Sequence, residues 1–309
     1  MEHKNFLQSK EFADWRRLSG DEVLEVAGNY MVVKSAKRGR YAEIAGALIT
    51  DFKYFAKEVQ RVGEEIGCIY VRVRPQLLAT ETNEQSMQAV GFKPAVRHLS
   101  AENTVILDLA KSEDSLLAEM RKQTRYEIRH LDRHPCLTVE RMLASDNASI
   151  QAWDDFANLQ VETAKRQGFV APSHSELLNL REAFWDKAVL YIAKHNGEPI
   201  AYAIVIISHG EADYFEAASS EAARNIPAAY ALQWQIIRDL KAGDVKYYNL
   251  YGIAPEGETN HRYSKLTTFK RGFGGEVVHY VHAHDLPLNN FKYRLLRLYE
   301  LREKKRMKW

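Results

Sequence analysis

Little in this 309-residue sequence is apolar for long. No run reaches the roughly 18 to 20 residues that a membrane-spanning helix needs. The charged start, Met1 to Asn5, is not followed by an apolar leader core, so a cytoplasmic protein is expected. Cysteine is scarce: Cys68 and Cys136 are the only two, in separate predicted elements, which gives neither a disulfide framework nor metal-ligand spacing. Both are read as packing residues. An excess of one charge is also missing, with 43 Lys and Arg against 41 Asp and Glu and a formal net of +2, so no global field is available for nucleic-acid capture. Among the 11 histidines, His279, His282 and His284 fall within six residues. In a strand only His282 and His284 would share a face, no HExxH stands nearby, and no metal is expected.

What is present is an ordinary globular composition, 46% hydrophobic and 27% charged, with length for two domains. The first half reads as a helix over 12–18, strands over 22–26, 30–35 and 41–45, and a helix with Ile49, Phe52, Phe55, Ala56, Val59, Val62 and Ile66 on one stripe, closed by Gly67. A strand over 69–73 follows, then a short helix ended by Gly91 and Phe92, then a strand over 104–109 taken as the last of that half. The second half opens with a single basic helix over 115–131, which carries Arg121, Lys122, Arg125 and Arg129 beside an apolar stripe. Helices over 146–168 and 175–186 come next, then strands over 189–195 and 198–208 joined by the hairpin pair Asn196-Gly197, and a strand over 213–218. A helix over 228–240, a strand over 246–251, a turn-rich loop over 252–260, a short helix over 262–269 ended by Gly272 and Phe273, and a strand over 276–281 complete it.

Both halves therefore run through meander strands, a helix closed by glycine, a strand, a short helix ended by Gly-Phe, and a final strand. The order resembles a duplicated acyltransferase unit. The fold expected is α/β (α+β): two tandem GNAT-like acyltransferase domains with mixed sheets flanked by helices. The first would cover 1–110 with the C-terminal helix of 286–309 packed back on it, and the second 111–285; chance recurrence of common elements is the alternative. Coenzyme A as donor would need a glycine-rich turn whose N–H groups hold pyrophosphate. The equivalent turn, Arg224 to Ala229, has Pro227 at the first glycine position, and proline has no N–H. A donor held in another way is expected.

The most informative stretch is Leu266 to Gly275, where Lys270 follows Phe269 and precedes Gly272, Gly274 and Gly275. With Phe6 to Ser9 and Trp15, Gly39 to Gly46, the basic helix Arg121 to Leu131, Thr163 to Phe169, Tyr248 to Ile253 and Asp285 to Pro287, it resembles the FemABX family, aminoacyl-tRNA-dependent transferases that build the interpeptide bridge of peptidoglycan. The chain departs from the family in having Ala47 where proline is usual and Asn249 where aspartate is common. It also lacks room for the long helical arm of some members.

The resemblance implies that the side-chain amine of a muropeptide precursor attacks the ester of an aminoacyl-tRNA. Lys270 would stabilise the tetrahedral oxyanion and contact the terminal adenosine, and the Phe269 carbonyl would hold the attacking amine. Arg166 resembles the arginine on the acceptor diphosphate, and Tyr214 and Tyr251 are offered as acceptor-site tyrosines. Arg121, Lys122 and Arg125 form a stripe for tRNA or phosphate. The bland alternatives are a surface charge or ion pair for Lys270, a solvated helix end for Arg166, sheet burial for a tyrosine and a wet helix face for the stripe. No metal or organic cofactor is implied. Aminoacyl-tRNA and a UDP-linked or lipid-linked muropeptide are the implied partners, with peripheral contact to the inner membrane surface left open. Transfer to another small-molecule or exopolysaccharide acceptor is the second reading. A silent RNA-binding protein using the basic 292–308 tail, net +6 from eight Lys or Arg against Glu300 and Glu303, is the third.

Overall fold

The computed structural model describes residues 5–99, 101–167, 171–258 and 263–307. The expected helix end at Gly168, the motif residue Phe169, the loop end at Asn260 and the helix start at Arg262 lie outside the described residues, as does Lys308 of the tail. The chain divides into two compact units, one of residues 1–104, 252–264 and 278–309, the other of 105–251 and 265–277. Among the described residues no helix is long and apolar enough to cross a membrane.

The first unit is built on a six-stranded sheet. Glu22–Val26, Asn29–Ala36 and Gly39–Ala47 form an antiparallel meander. Ala27 and Gly28, both at positive φ, make the tight first turn. Gly39–Ala47 then pairs in parallel with Tyr70–Pro75, so the chain must cross over, which it does through the helix Phe52–Glu65. That helix buries Phe55, Ala56 and Val59 against Met31, Ile44, Val71 and Val73. Beyond Tyr70–Pro75 stands a strand the sequence did not announce. His284–Pro287 lies between Tyr70–Pro75 and Lys93–Pro94, antiparallel to both. At four residues, with His, Asp and Pro among them, it carries no alternating apolar signal. What fixes it is a buried ion pair: Arg72 donates to Asp285 at 2.7 and 3.0 Å and also reaches Glu300 at 2.9 Å on the C-terminal helix Asn290–Met307. Tyr293 of that helix adds a hydrogen bond to Asp285 at 3.1 Å.

The second unit has a seven-stranded sheet in the order Glu276–His279, Asn103–Asp108, Tyr247–Asn249, Glu211–Ser219, Glu198–Ser208, Ala188–His195 and Leu137–Leu143. Its hairpin at Asn196 and Gly197 is as expected, with φ of 54° and 84°. Glu211–Ser219 pairs in parallel with Tyr247–Asn249 after a crossover through the helix Ala228–Ala242, the same step as in the first unit. Three expectations are corrected. Asn103–Asp108, read as the close of the first half, pairs antiparallel with Tyr247–Asn249. Leu137–Leu143 was not expected as a strand, because at the sheet edge its residues are only half-buried and show no alternation. The single basic helix is two, Glu113–Glu119 and Lys122–Arg129. Met120 and Arg121 turn extended between them, and the Arg121 N–H donates to the Gly272 carbonyl at 2.9 Å. Each sheet thus repeats a meander, a crossover helix, a parallel strand and an inserted strand from far along the chain.

Candidate active site

The site is organised by an irregularity in Glu211–Ser219. Its register against Glu198–Ser208 shifts between Tyr214 and Glu216, leaving Phe215 as the extra residue of a β-bulge. Three consecutive side chains diverge there to different partners. Tyr214 lies under Lys270, whose Nζ is 5.7 Å from the ring centroid. Phe215 meets Tyr251 edge to face, with centroids 5.9 Å apart. Glu216 accepts from Gln160 Nε2 at 2.6 Å, so helix Ser149–Gln167 is laid along this strand. One and two turns on, Thr163 and Arg166 both donate to the Ser219 carbonyl.

Lys270 sits in the last turn of the helix Ser264–Arg271 and is only 5% exposed. A lysine this deep is not a wet surface charge. Burial pulls its ammonium down to about 7, against the opposing pull of Glu216. Burial likewise pushes the Glu216 carboxyl up to about 7, with Lys270 and the Gln160 hydrogen bond acting the other way. The two groups therefore exchange charge in the same pH range and behave as a couple. Tyr214, pushed up to about 12 by burial, stays a neutral donor beside them. A buried ammonium beside a carboxylate and a phenol can place positive charge on a developing oxyanion in a site of low dielectric.

The three glycines after Lys270 serve close protein contacts. A Cβ on Gly272 would stand 2.5 Å from Thr124 Oγ1 and 2.9 Å from the Phe269 carbonyl, and one on Gly275 would stand 2.5 Å from the Ile106 carbonyl. They let the helix end pack on the Thr124 helix and on Asn103–Asp108. Phe269 is held by Tyr230 and Phe273, at ring distances of 5.4 and 5.1 Å, and its carbonyl already accepts from the Gly272 N–H at 3.0 Å. Tyr251 adopts φ +62°, a left-handed backbone uncommon for an aromatic residue, at the exit of the strand Tyr247–Asn249. Its N–H donates to Asn249 Oδ1 at 2.9 Å.

The structure thus brings Lys270 and Tyr214 together, links Tyr251 through Phe215, and puts Arg166 at the solvent end of the same helix and strand. Glu216 and Gln160 complete the couple and were missed in the sequence. Glu216 is one of three acidic residues in its strand, with Glu211 and Asp213, so nothing local singles it out, and its partners lie far off along the chain. Arg121 and Lys122 are exposed. Arg125 is engaged instead: its Nη1 donates to the Leu117, Ala118 and Met120 carbonyls, closing the C-terminus of the preceding helix. At the crossover helices, Asp51 caps Phe52–Glu65 with its carboxylate on the Lys53 and Tyr54 N–H groups, and Pro227 caps Ala228–Ala242 without any side-chain bond. A carboxylate at the first of these ends opposes a pyrophosphate there.

Residues 194–301 match the model of the FemAB family, a segment that holds Tyr214, Glu216, Tyr251, Phe269 and Lys270. The aminoacyltransferase FemA of Staphylococcus epidermidis is 29% identical over 105 residues, 34% of this chain and 25% of that relative. Among solved structures FemX superposes with a TM-score of 0.77 at 16% identity, covering 95% of this chain and 94% of that one. Over residues 194–301 the chain is similar to the FemAB family, and its fold is that of FemX. The C-terminal domain of a putative lysylphosphatidylglycerol synthetase from Agrobacterium fabrum shares the fold at a TM-score of 0.65 and 15% identity, covering 95% and 93%. A tandem GNAT protein of the clavulanic acid pathway does so at 0.51 and 11%, covering 87% and 82%, so the fold is the expected tandem GNAT-like one. The matched segment spans about a quarter of the curated FemA relative.

Asn249, a departure from the FemABX pattern, has a local reason. Its Nδ2 donates to the buried Glu211 carboxylate at 2.9 Å while its Oδ1 accepts from the Tyr251 N–H. An aspartate would set a second carboxylate against Glu211.

Proposed function

We propose that this chain is a FemABX-type transferase, which moves an aminoacyl group from aminoacyl-tRNA to the side-chain amine of a peptidoglycan precursor muropeptide. The observation that carries the proposal is the buried Lys270 beside Glu216, inside the FemAB segment. An aminoacyl ester is already activated, so the enzyme needs to orient the amine and neutralise the oxyanion. Lys270 as ammonium supplies that charge, and the Phe269 carbonyl offers its second lone pair to the attacking amine. Tyr251 and Tyr214 line the acceptor side, Arg166 meets the acceptor diphosphate through its planar fork, and exposed Arg121 and Lys122 meet phosphates of the tRNA. No metal or cofactor takes part, and the work is done on the cytoplasmic side.

The test incubates the protein with a pool of radiolabelled aminoacyl-tRNAs and a UDP-linked or lipid-linked muropeptide. Label should pass to the muropeptide and fall by about 100-fold or more in Lys270→Ala, the loss seen when an oxyanion donor is removed. Intact tRNA binding with no label on either muropeptide would move the assignment to another acceptor.

A further inference from the structure

A second convergence of ionisable side chains lies in the first unit, made of His98, Glu102 and His282. Their ligating atoms, one from each residue, all lie within 4.8 Å of one another. Both imidazoles present Nδ1 to the same carboxylate oxygen, Glu102 Oε2, with His282 at 2.8 Å. Glu102 is buried, and its other oxygen accepts from the Ala283 N–H at 2.9 Å. The far nitrogen of His282, Nε2, lies 2.8 Å from the Ala95 carbonyl.

That last bond fixes the tautomer. A carbonyl only accepts, so Nε2 carries the hydrogen, and in the neutral ring Nδ1 then turns a lone pair toward the Glu102 oxygen. A lone pair and a carboxylate oxygen at 2.8 Å repel unless a cation lies between them. Either a proton or a metal ion can fill that place. Two imidazole nitrogens and one carboxylate oxygen aimed at one point make a donor set suited to zinc-like ions. The outer bonds also fit, since a ligating histidine characteristically donates its other N–H to a backbone carbonyl and a ligating carboxylate is held by N–H groups. His98 and His282 keep 37% and 29% of their side chains exposed, which leaves an entry path and room for a fourth ligand. His284 is turned away, with Nδ1 on the His282 carbonyl at 2.7 Å and Nε2 3.2 Å from Glu84.

We propose that His98, Glu102 and His282 bind one divalent ion of the zinc class, with a fourth position open to water. With metal–donor bonds of about 2.0 to 2.2 Å in a tetrahedral site, the donors stand about 3.3 Å apart. The two Nδ1–Oε2 separations need to open by less than about 1 Å to reach that geometry. The ion would staple the segment around Ala95 to Glu102 onto the stretch leading into His284–Pro287. No metal is expected from the sequence because His282 has only His279 and His284 close by along the chain, whereas the fold brings His98 and Glu102 to it.

Chain free of any histidine tag and stripped with a chelator would be titrated with Zn2+ by calorimetry and with Co2+ by visible absorption. Ring-nitrogen NMR would follow the histidines. The expected result is one ion per chain, cobalt bands of four- or five-coordinate N/O ligation, and shifts of the His98 and His282 Nδ1 signals. A higher Tm with zinc should accompany them. His98→Ala and His282→Ala should each weaken binding at least tenfold, with His279→Ala unchanged. Lack of saturable binding would overturn the proposal and leave an imidazolium–carboxylate cluster. Binding that leaves both Nδ1 signals unmoved would overturn it as well, and this readout needs no variant to fold. Metal binding is read directly, so the result stands whether or not aminoacyl transfer is found.

Discussion

Glu216 binds a proton more readily in the folded chain than in the unfolded one, and Lys270 binds one less readily, because burial penalises either charge. Between about 4.5 and 7 the folded state therefore holds the extra proton on Glu216, and stability from that group is lost as pH rises. Between about 7 and 10.5 the unfolded chain holds the extra proton on lysine, so stability from Lys270 returns as pH rises. The couple contributes least near pH 7, where the enzyme would need it charged. The Tm of the wild type should accordingly rise relative to Lys270→Met between pH 7 and pH 10, as followed by thermal denaturation in matched buffers. A flat difference would mean that Lys270 is solvated after all. Lys270 itself was legible in the sequence, because an Phe-Lys pair before three glycines is a local pattern. Glu216 and Gln160 were not, since their role exists only once a bulge and a distant helix bring them to the lysine.

At the scale of elements, glycine marks where two backbones touch. Gly210 and Gly275 have nearly the same φ, +78° and +81°, but the first has nothing within 4 Å of a Cβ position and the second has the Ile106 carbonyl at 2.5 Å. Gly210→Ala should cost about 1 kcal/mol, the penalty of a left-handed backbone alone. Gly275→Ala should cost about 1 to 3 kcal/mol more, the usual toll of forcing atoms into a packed contact. Urea titration of the two variants separates the terms, and equal losses would sink the close-approach reading. Helices with a clear apolar stripe and strands beside a glycine turn could be read from the sequence, as at Phe52–Glu65 and at the Asn196-Gly197 hairpin. The break at Met120 could not. Nothing in the local residues forbids a continuous helix there, and the Gly272 carbonyl that captures the Arg121 N–H belongs to an element far along the chain.

For the whole molecule, the order of elements was legible apart from two short edge or inserted strands and one helix break, and their assignment to sheets was not, because each sheet takes its inserted strand from a remote segment. His284–Pro287 is held in the first sheet by Arg72 and Asp285, both nearly inaccessible to water. A buried guanidinium stripped of its carboxylate keeps its desolvation cost without the attraction that offset it. Asp285→Ala should therefore destabilise the chain by about 3 to 5 kcal/mol, with Glu300 setting the lower end by retaining part of the pairing. Residues 1–104 expressed alone lack the strand between Tyr70–Pro75 and Lys93–Pro94, and they lack the C-terminal helix that completes the Arg72 pairing. That fragment should show no cooperative unfolding transition by circular dichroism. Cooperative unfolding of the fragment by itself would mean that the closing strand adds to a sheet already formed. Its absence, restored when residues 278–309 are supplied in trans, would mean that the first unit is completed only after that segment has been made.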